Sequence, residues 1–335
     1  MSQAGRALAY AFETGALVAP EGRTFLLRAE PGALGDVDAE QSLRPEFLRL
    51  QRAHWKVVPR LPLLPDGDGY GLGLVLLTKH KEENFANIAR AWDLLAPGGM
   101  LASAGANEEG AASLEKGVGK AFDGANQLFK FHSRVFWFAK GERAPPDYWR
   151  RLATLQPVGD DASPGGRWQS QPGLFSWDRI DDGSALLAQH LPNDLAGSVA
   201  DFGCGWGFLA RHVLAHCPGV TSLDCIDAEH RALEAAEANV VDARATFHWL
   251  DLVTETAPGT YDAIVCNPPF HSGRAATPSL GQQIVEAASR ALKPGGRLYM
   301  VANRGLPYEP TLKANFTGFE TLADNNKFKI TKAVR

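Results

Sequence analysis

The sequence predicts two tandem doubly wound α/β domains, and three observations carry that prediction. The C-terminal half alternates strand-like and helix-like segments, the N-terminal half repeats part of that alternation in register, and 335 residues exceed one ordinary domain. Hydrophobic residues at 45% and charged residues at 21% are those of a globular chain and exclude fibrous and disordered classes. The formal net charge of −4 gives no global basic field, so any nucleic-acid contact must come from local patches.

In the second half, 198–202 reads as a strand ending in a glycine-rich turn, and 208–216 as the helix after it. A second strand at 221–227 leads into a helix at 229–240, where Ala, Leu and Glu recur at helical spacing. Strands follow at 245–250 and 261–266. The helix at 279–292 is closed by Lys293-Pro294-Gly295-Gly296, a stop signal, and 297–302 is a fifth strand. Such alternation predicts a parallel sheet covered by helices on both faces.

The first half carries a fainter copy. Leu94-Leu95-Ala96-Pro97-Gly98-Gly99-Met100-Leu101 matches Ala291-Leu292-Lys293-Pro294-Gly295-Gly296-Arg297-Leu298 position for position. A helix-like stretch (82–92) and an apolar strand (73–77) precede it as they do in the second half, which predicts a duplicated domain. The N-terminal copy has no D-x-G-x-G-x-G, and its Gly-rich stretch at 66–71 precedes a strand, so it is read as a hairpin or loop. The breakers Ala144-Pro145-Pro146 and Ser163-Pro164-Gly165-Gly166 mark a seam. The expected division is a degenerate domain at 1–143, a linker at 144–168 and the site-bearing domain at 169–335.

Cys204, Cys217, Cys225 and Cys266 show no C-x-x-C or His/Cys ligand spacing, so buried thiols in a reducing compartment are expected, and no metal. No apolar run approaches the roughly 18 residues that span a bilayer, and Met1-Ser2-Gln3 opens no signal sequence. The expectation is a cytoplasmic protein without a membrane partner.

The chemistry sits in two motifs. Asp201-Phe202-Gly203-Cys204-Gly205-Trp206-Gly207 runs from strand to helix through spaced glycines, which admit positive φ and let a ligand approach the backbone. Asp227, ending the next strand, suits the two hydroxyls of a ribose. Asp201 would repel a pyrophosphate and welcome an ammonium group, which favours S-adenosylmethionine with its zwitterionic end and its sulfonium. Asp251 is placed for an adenine amine. The second motif, Cys266-Asn267-Pro268-Pro269-Phe270-His271, follows the fourth strand. The Asn267 amide oxygen and the Pro268 carbonyl can each accept one N–H of an exocyclic amine, aiming its lone pair without a strong base. The prolines add rigidity, Phe270 offers a face for a flipped base, and His271 is a polar loop residue that helps orient substrate.

Two elements stay open on the residues alone. The segment 172–176, with Asp182-Gly183-Ser184 opening a helix at 185–190 capped by Ser184, is either a lid over the cofactor or an N-terminal strap. Lys116, Lys120, Lys130, Arg134, Lys140, Arg143, Arg150 and Arg151, among Phe122, Phe129, Phe131 and Trp137, are either an RNA-facing patch or a solvated helix face beside a buried strand.

Together these residues resemble the class I S-adenosylmethionine-dependent methyltransferases. More narrowly they are similar to the bacterial ribosomal RNA guanine-N2 methyltransferases of the small-subunit methyltransferase C type and their large-subunit relative, methyltransferase G. Pro172-Gly173-Leu174-Phe175-Ser176, Asp182 to Ser184, Asp201 to Gly207, Asn267 to His271, and Val301-Ala302-Asn303-Arg304 with Pro307-Tyr308 carry the resemblance. It implies tandem Rossmann-like methyltransferase domains, the first degenerate, and a monomer acting on ribosomal RNA or a ribosomal subunit. It also implies a cofactor site of Asp201, Gly203, Cys204, Gly205, Gly207, Asp227, Asp251 and Asn267, and a substrate loop of Asn267, Pro268, Pro269, Phe270 and His271. Asn325 to Lys329 stands closer to the large-subunit relative, and Asn-Pro-Pro-Phe/Tyr motifs also serve methylation of adenine N6 or of a protein glutamine.

Overall fold

The computed structural model describes residues 1–32, 36–63, 69–122, 124–160, 166–269, 271–272, 275–276 and 278–335. The chain divides into two compact units: Met1–Gln156 with Gln171–Gly173, and Pro157–Ser170 with Leu174–Arg335.

The first unit runs α1 (Gln3–Glu13), β1 (Thr24–Leu27), β2 (Asp38–Glu40), α2 (Arg44–Arg52), β3 (Val57–Val58), β4 (Tyr70–Leu76), α3 (Lys81–Leu94), β5 (Leu95–Ala106), α4 (Ala111–Ala121), β6 (Asn126–Lys130), β7 (Ser133–Ala139) and α5 (Asp147–Leu152). Its sheet has the order β3-β2-β1-β4-β5-β7-β6. Leu26, Leu72, Leu74 and Val135 pack on α1, and Phe25, Val75 and Phe136 on α3 and α5, so both faces are buried and the strands read as apolar runs.

A short pair, β8 (Gln156–Val158) and β9 (Trp168–Ser170), follows in sequence. The second unit continues with α6 (Asp182–His190), β10 (Ala196–Phe202), α7 (Phe208–His216), β11 (Gly219–Asp227), α8 (His230–Asn239), β12 (Ala245–Trp249), β13 (Tyr261–Cys266), β14 (His271–Ser272), β15 (Ala275–Ala276), α9 (Pro278–Ala291), β16 (Leu292–Asn303), α10 (Glu309–Asn315), β17 (Gly318–Asp324) and β18 (Phe328–Val334). Its main sheet has the order β12-β11-β10-β13-β16-β18-β17, the same permutation as the first. Burial along β5 and β16 is identical at all twelve positions. The duplication is therefore real: the Pro-Gly-Gly turn opens the same strand in two copies of one fold.

Three expectations need correction. Neither sheet is wholly parallel, because β7 and β18 run antiparallel to β5 and β16 and pair with β6 and β17 in hairpins. A turn of two or three residues can only join antiparallel strands. The stretch 144–168 is not a bare linker: Pro146 precedes a helix start, and α5 buries Trp149 in a stack on Phe85 at 4.4 Å, so the break falls after Gln156. In the stretch 66–71, residues 66–68 lie outside the described residues, while Tyr70 and Gly71 begin β4. All four cysteines are buried, and no group of metal-holding side chains occurs among the described residues.

Candidate active site

The glycine motif leaves β10 and enters α7. Gly203, Gly205 and Gly207 all take positive φ, at 75°, 54° and 90°, a region closed to most side chains. Gly203 and Cys204 donate their amides to the Ile226 carbonyl at 2.9 and 3.1 Å, which draws the loop across the end of β11. A Cβ on Gly207 would stand 2.7 Å from Val240 Cγ2, so helix α8 fixes that corner. A Cβ on Gly203 would point towards the Asn267 carbonyl, 4.0 Å away, in the gap between the two motifs.

Sequence reasoning gave Asp201 to a ligand's ammonium end, and the structure places it otherwise. Asp201 is fully buried behind the loop, where Oδ2 accepts the Ala210 amide of α7 at 3.0 Å. Burial pushes its carboxyl up to about 8, with the charge on Asp227 adding to the rise, and Oδ1 has no hydrogen-bond partner. It ties loop to helix; it does not line the cleft. Asp227 stands as predicted at the end of β11, half-buried. Its Oδ2 accepts the Gly205 amide and its Oδ1 the Glu229 amide, each at 2.8 Å, while burial lifts its carboxyl to about 6. Asp251 begins the turn after β12 and spends its carboxylate locally, on the Val253 amide and the Thr254 hydroxyl at 3.1 and 2.6 Å.

Asn267 follows β13, directly beside the glycine loop, because β13 pairs with β10 and Phe202 lies opposite Cys266. Its Nδ2 donates to Asp181 Oδ2 at 3.0 Å and to Ser184 Oγ at 2.8 Å. Both amide hydrogens are thereby committed, which fixes the flip and leaves Oδ1 as an outward acceptor with no donor among the described residues. Asp181, not Ser184, caps α6: its Oδ2 also accepts the Ser184 amide at 2.8 Å. Ser184 lies a turn inside, where its hydroxyl meets Asn267. Pro268 is buried and Pro269 exposed. Phe270 lies outside the described residues; the His271 backbone pairs with Ala276 in β14 and β15, and its side chain is not among those described.

Phe175 and Ser176 line the cleft with Asp181, Ser184, Gly203 to Trp206 and Asn267. The Trp206 indole donates to the Phe175 carbonyl at 3.2 Å, and Ser176 holds φ at 48°, so this segment is a wall of the site. Two braces escaped sequence reasoning. One is Asp181. The other is Asn239 on α8, whose Nδ2 donates to the Trp206 and Gln169 carbonyls, each at 2.7 Å, and so holds the loop from below. An asparagine late in a helix carries no local signal of a partner 33 residues earlier.

A family model described as methyltransferase small domain matches residues 166–332. A ribosomal RNA small subunit methyltransferase C from Shewanella piezotolerans is 34% identical over 248 residues, 72% of this chain and 70% of the relative. The protein of the same name from Shewanella halifaxensis is 33% identical over 284 residues, 81% and 80% of the two chains. The solved structure of a T. thermophilus 16S rRNA N2 G1207 methyltransferase in complex with AdoMet and guanosine covers 100% of this chain and 92% of its own, with a TM-score of 0.80 and 24% identity. That last likeness establishes the tandem fold.

Proposed function

Because the chain belongs to the ribosomal RNA small subunit methyltransferase C family, we propose that it moves a methyl group from S-adenosylmethionine to the exocyclic N2 of a guanine in the RNA of the small ribosomal subunit. The observation that carries this reading is the locked amide of Asn267. An aromatic amine is a weak nucleophile because its lone pair is delocalised into the ring. Asn267 Oδ1, fixed as an acceptor, takes one N–H of that amine, and the Pro268 carbonyl takes the other, which turns the lone pair out of the ring plane. S-adenosylmethionine supplies an electrophilic methyl on a sulfonium. No strong base is needed, since the amine loses its proton to solvent as its nitrogen gains the methyl.

The cleft fits that cofactor on its own geometry. Side-chain-free positions at Gly203 and Gly205 leave a gap beside Asn267, Cys204 lines it, Gly207 lets the loop close against α8, and the Asp227 carboxylate at the strand end suits the ribose diol. Asp251 keeps lone pairs for the adenine amine, and Phe270 is assigned to stacking on the base. The T. thermophilus protein of the same fold binds AdoMet and guanosine, which supports the same pair here. The first unit would supply RNA contacts and support to a monomer acting in the cytoplasm; among the described residues no helix is long and apolar enough to cross a membrane.

The test is incubation with radiolabelled S-adenosylmethionine and small subunits, large subunits or their naked RNAs from a strain lacking the gene, followed by nucleoside digestion. N2-methylguanosine in small-subunit RNA is expected, with kcat reduced at least about 100-fold in Asn267→Ala. Label in large-subunit RNA, in adenine or in protein would overturn the substrate assignment.

A further inference from the structure

Two groups stand out in the structure among the basic and aromatic residues scattered through the first half of the sequence. Lys140 turns inward, its ammonium donating to the Trp92 and Leu95 carbonyls at 2.8 and 2.6 Å. Arg150 pairs with Asp93 at 2.7 Å, while Phe122 and Trp137 pack into the two cores. Four residues of the pattern gather instead at the β6–β7 tip, and α1 adds two that the sequence pattern did not include, Arg6 and Tyr10.

Strand alternation puts cation–ring pairs on both faces of this tip. On the α4 side, Phe129 is 52% exposed and lies opposite Arg134 in the hairpin register, with the guanidinium 4.3 Å over its ring. Glu115 of α4 pairs with that guanidinium. On the α1 side, the Phe131 ring has Arg6 at 4.5 Å and Lys130 at 5.6 Å, and meets the edge of Tyr10 at 5.8 Å. Lys130 also stands 5.1 Å over Tyr10.

The turn itself is unusual. Phe131 and His132 both take positive φ, at 51° and 55°. A two-residue hairpin of that shape ordinarily uses Asn-Gly, and each bulky residue there costs about 1–2 kcal/mol. This strained turn seats Phe131, half-buried against the α1-side core, among the cations of the tip.

We propose that the β6–β7 tip, with Arg6 and Tyr10 of α1, is a docking surface for a single-stranded stretch of the RNA substrate, whose bases stack on the exposed Phe129 and whose phosphates meet Arg6, Lys130 and Arg134. This rests on the reading above that the substrate is RNA. Cations alone would fit any polyanion and exposed rings alone any apolar partner. Rings flanked by cations on both faces of one tip fit a chain that alternates flat bases with phosphates. The chain's net charge of −4 makes such a local cluster necessary for RNA contact.

Phe129 is exposed, so Phe129→Ala leaves the core intact, and circular dichroism would verify that. Binding of a fluorescent single-stranded RNA from the small subunit is measured by anisotropy across a salt series, beside methylation kinetics on the full substrate. For Phe129→Ala the expected result is a five- to tenfold rise in oligonucleotide Kd and in KM for RNA, with kcat unchanged and Phe129→Trp restoring both. For Arg6→Gln with Lys130→Gln, the slope of log K against log salt falls by roughly 1.5. Kd within twofold of the parent and an unchanged salt slope in folded variants would overturn the proposal. Because the oligonucleotide titration needs no turnover, a wild-type protein that methylates no RNA defeats the functional reading alone.

Discussion

Leu26 in the first unit and Asp201 in the second stand at the same place in two equivalent sheets. The Pro-Gly-Gly turns equate Ser103 with Met300, and the strand registers carry that match through Val75 and Cys266 to Leu27 and Phe202. By the same count Leu76 stands where Asn267 does, and Gln41 where Asp227 does. Gln41 even keeps the local bond, its Oε1 accepting the Leu43 amide two residues on as Asp227 Oδ1 accepts Glu229. The crossover differs most. Between β1 and β2 the described residues 28–32 and 36–37 hold no helix, whereas 203–218 carry the glycine loop and α7. In the first unit Glu30 is occupied by Ser2, the cap of α1, whose amide and hydroxyl both reach it at 2.8 Å. A fold of this kind is specified by its apolar strands and one turn. The site is a separate inscription, erased by a shortened crossover and a few polar-to-apolar changes.

The largest effect that would break this comparison comes from a glycine of the loop set against a glycine outside it. Gly207 and Gly110 each precede a helix with φ near 90°, at 90° and 85°. Gly110 has nothing within 4 Å of a built Cβ, so Gly110→Ala should cost only the backbone strain, about 1–2 kcal/mol. Gly207→Ala adds the clash with Val240 and Ala236 and should cost more than about 3 kcal/mol. It should also weaken S-adenosylhomocysteine binding at least tenfold. Thermal melts and titration calorimetry read both; equal costs at the two sites would mean that the loop is not pinned by α8.

That contrast also explains what the sequence disclosed. Strand and helix alternation, the duplication and both chemical motifs were legible because each is local: apolar runs, three glycines, an asparagine before two prolines. The hairpins β6–β7 and β17–β18 were not, since nothing in Asn126 to Lys130, mostly exposed, announces a strand until β7 pairs with it. Helix α5 was hidden behind two prolines that read as a seam. Within the site, Asp201 was found but misplaced: a carboxylate before a glycine turn looks the same whether it faces ligand or core. Asp181 and Asn239 were missed because their partners, Asn267 and Trp206, are 86 and 33 residues away.

A smaller effect sharpens the contrast at the ribose position. Asp227 is lifted to about 6, so in the free protein it loses its charge as pH falls below that value. A protonated carboxyl accepts a diol poorly, and the affinity for S-adenosylhomocysteine should fall towards tenfold per pH unit below about 6 while staying flat above it. Asp227→Gln installs the first unit's side chain. Affinity at pH 8 should drop about tenfold or more, as befits loss of hydrogen bonds to a charged group, and the pH dependence should vanish. Calorimetric titrations from pH 5 to 8 decide it; a pH-independent parent would remove Asp227 from the ribose.

A last test concerns Asp201, and its sign follows from linkage. The ordinary carboxyl of an unfolded chain titrates near 3.8, whereas burial raises the folded one to about 8. Between those values the folded protein holds a proton that the unfolded chain has released, so stability decreases as pH rises from about 4 to 8 and is level beyond. Leu26 at the matching place has no such dependence. Asp201→Asn keeps an oxygen for the Ala210 amide and removes the titration. Its denaturant midpoint should therefore change less with pH than the parent's across that window, the two curves diverging as pH rises and the variant lying higher at pH 8. Parallel curves from urea titrations at pH 5, 6.5 and 8 would show that Asp201 is ionised in the folded protein throughout that range.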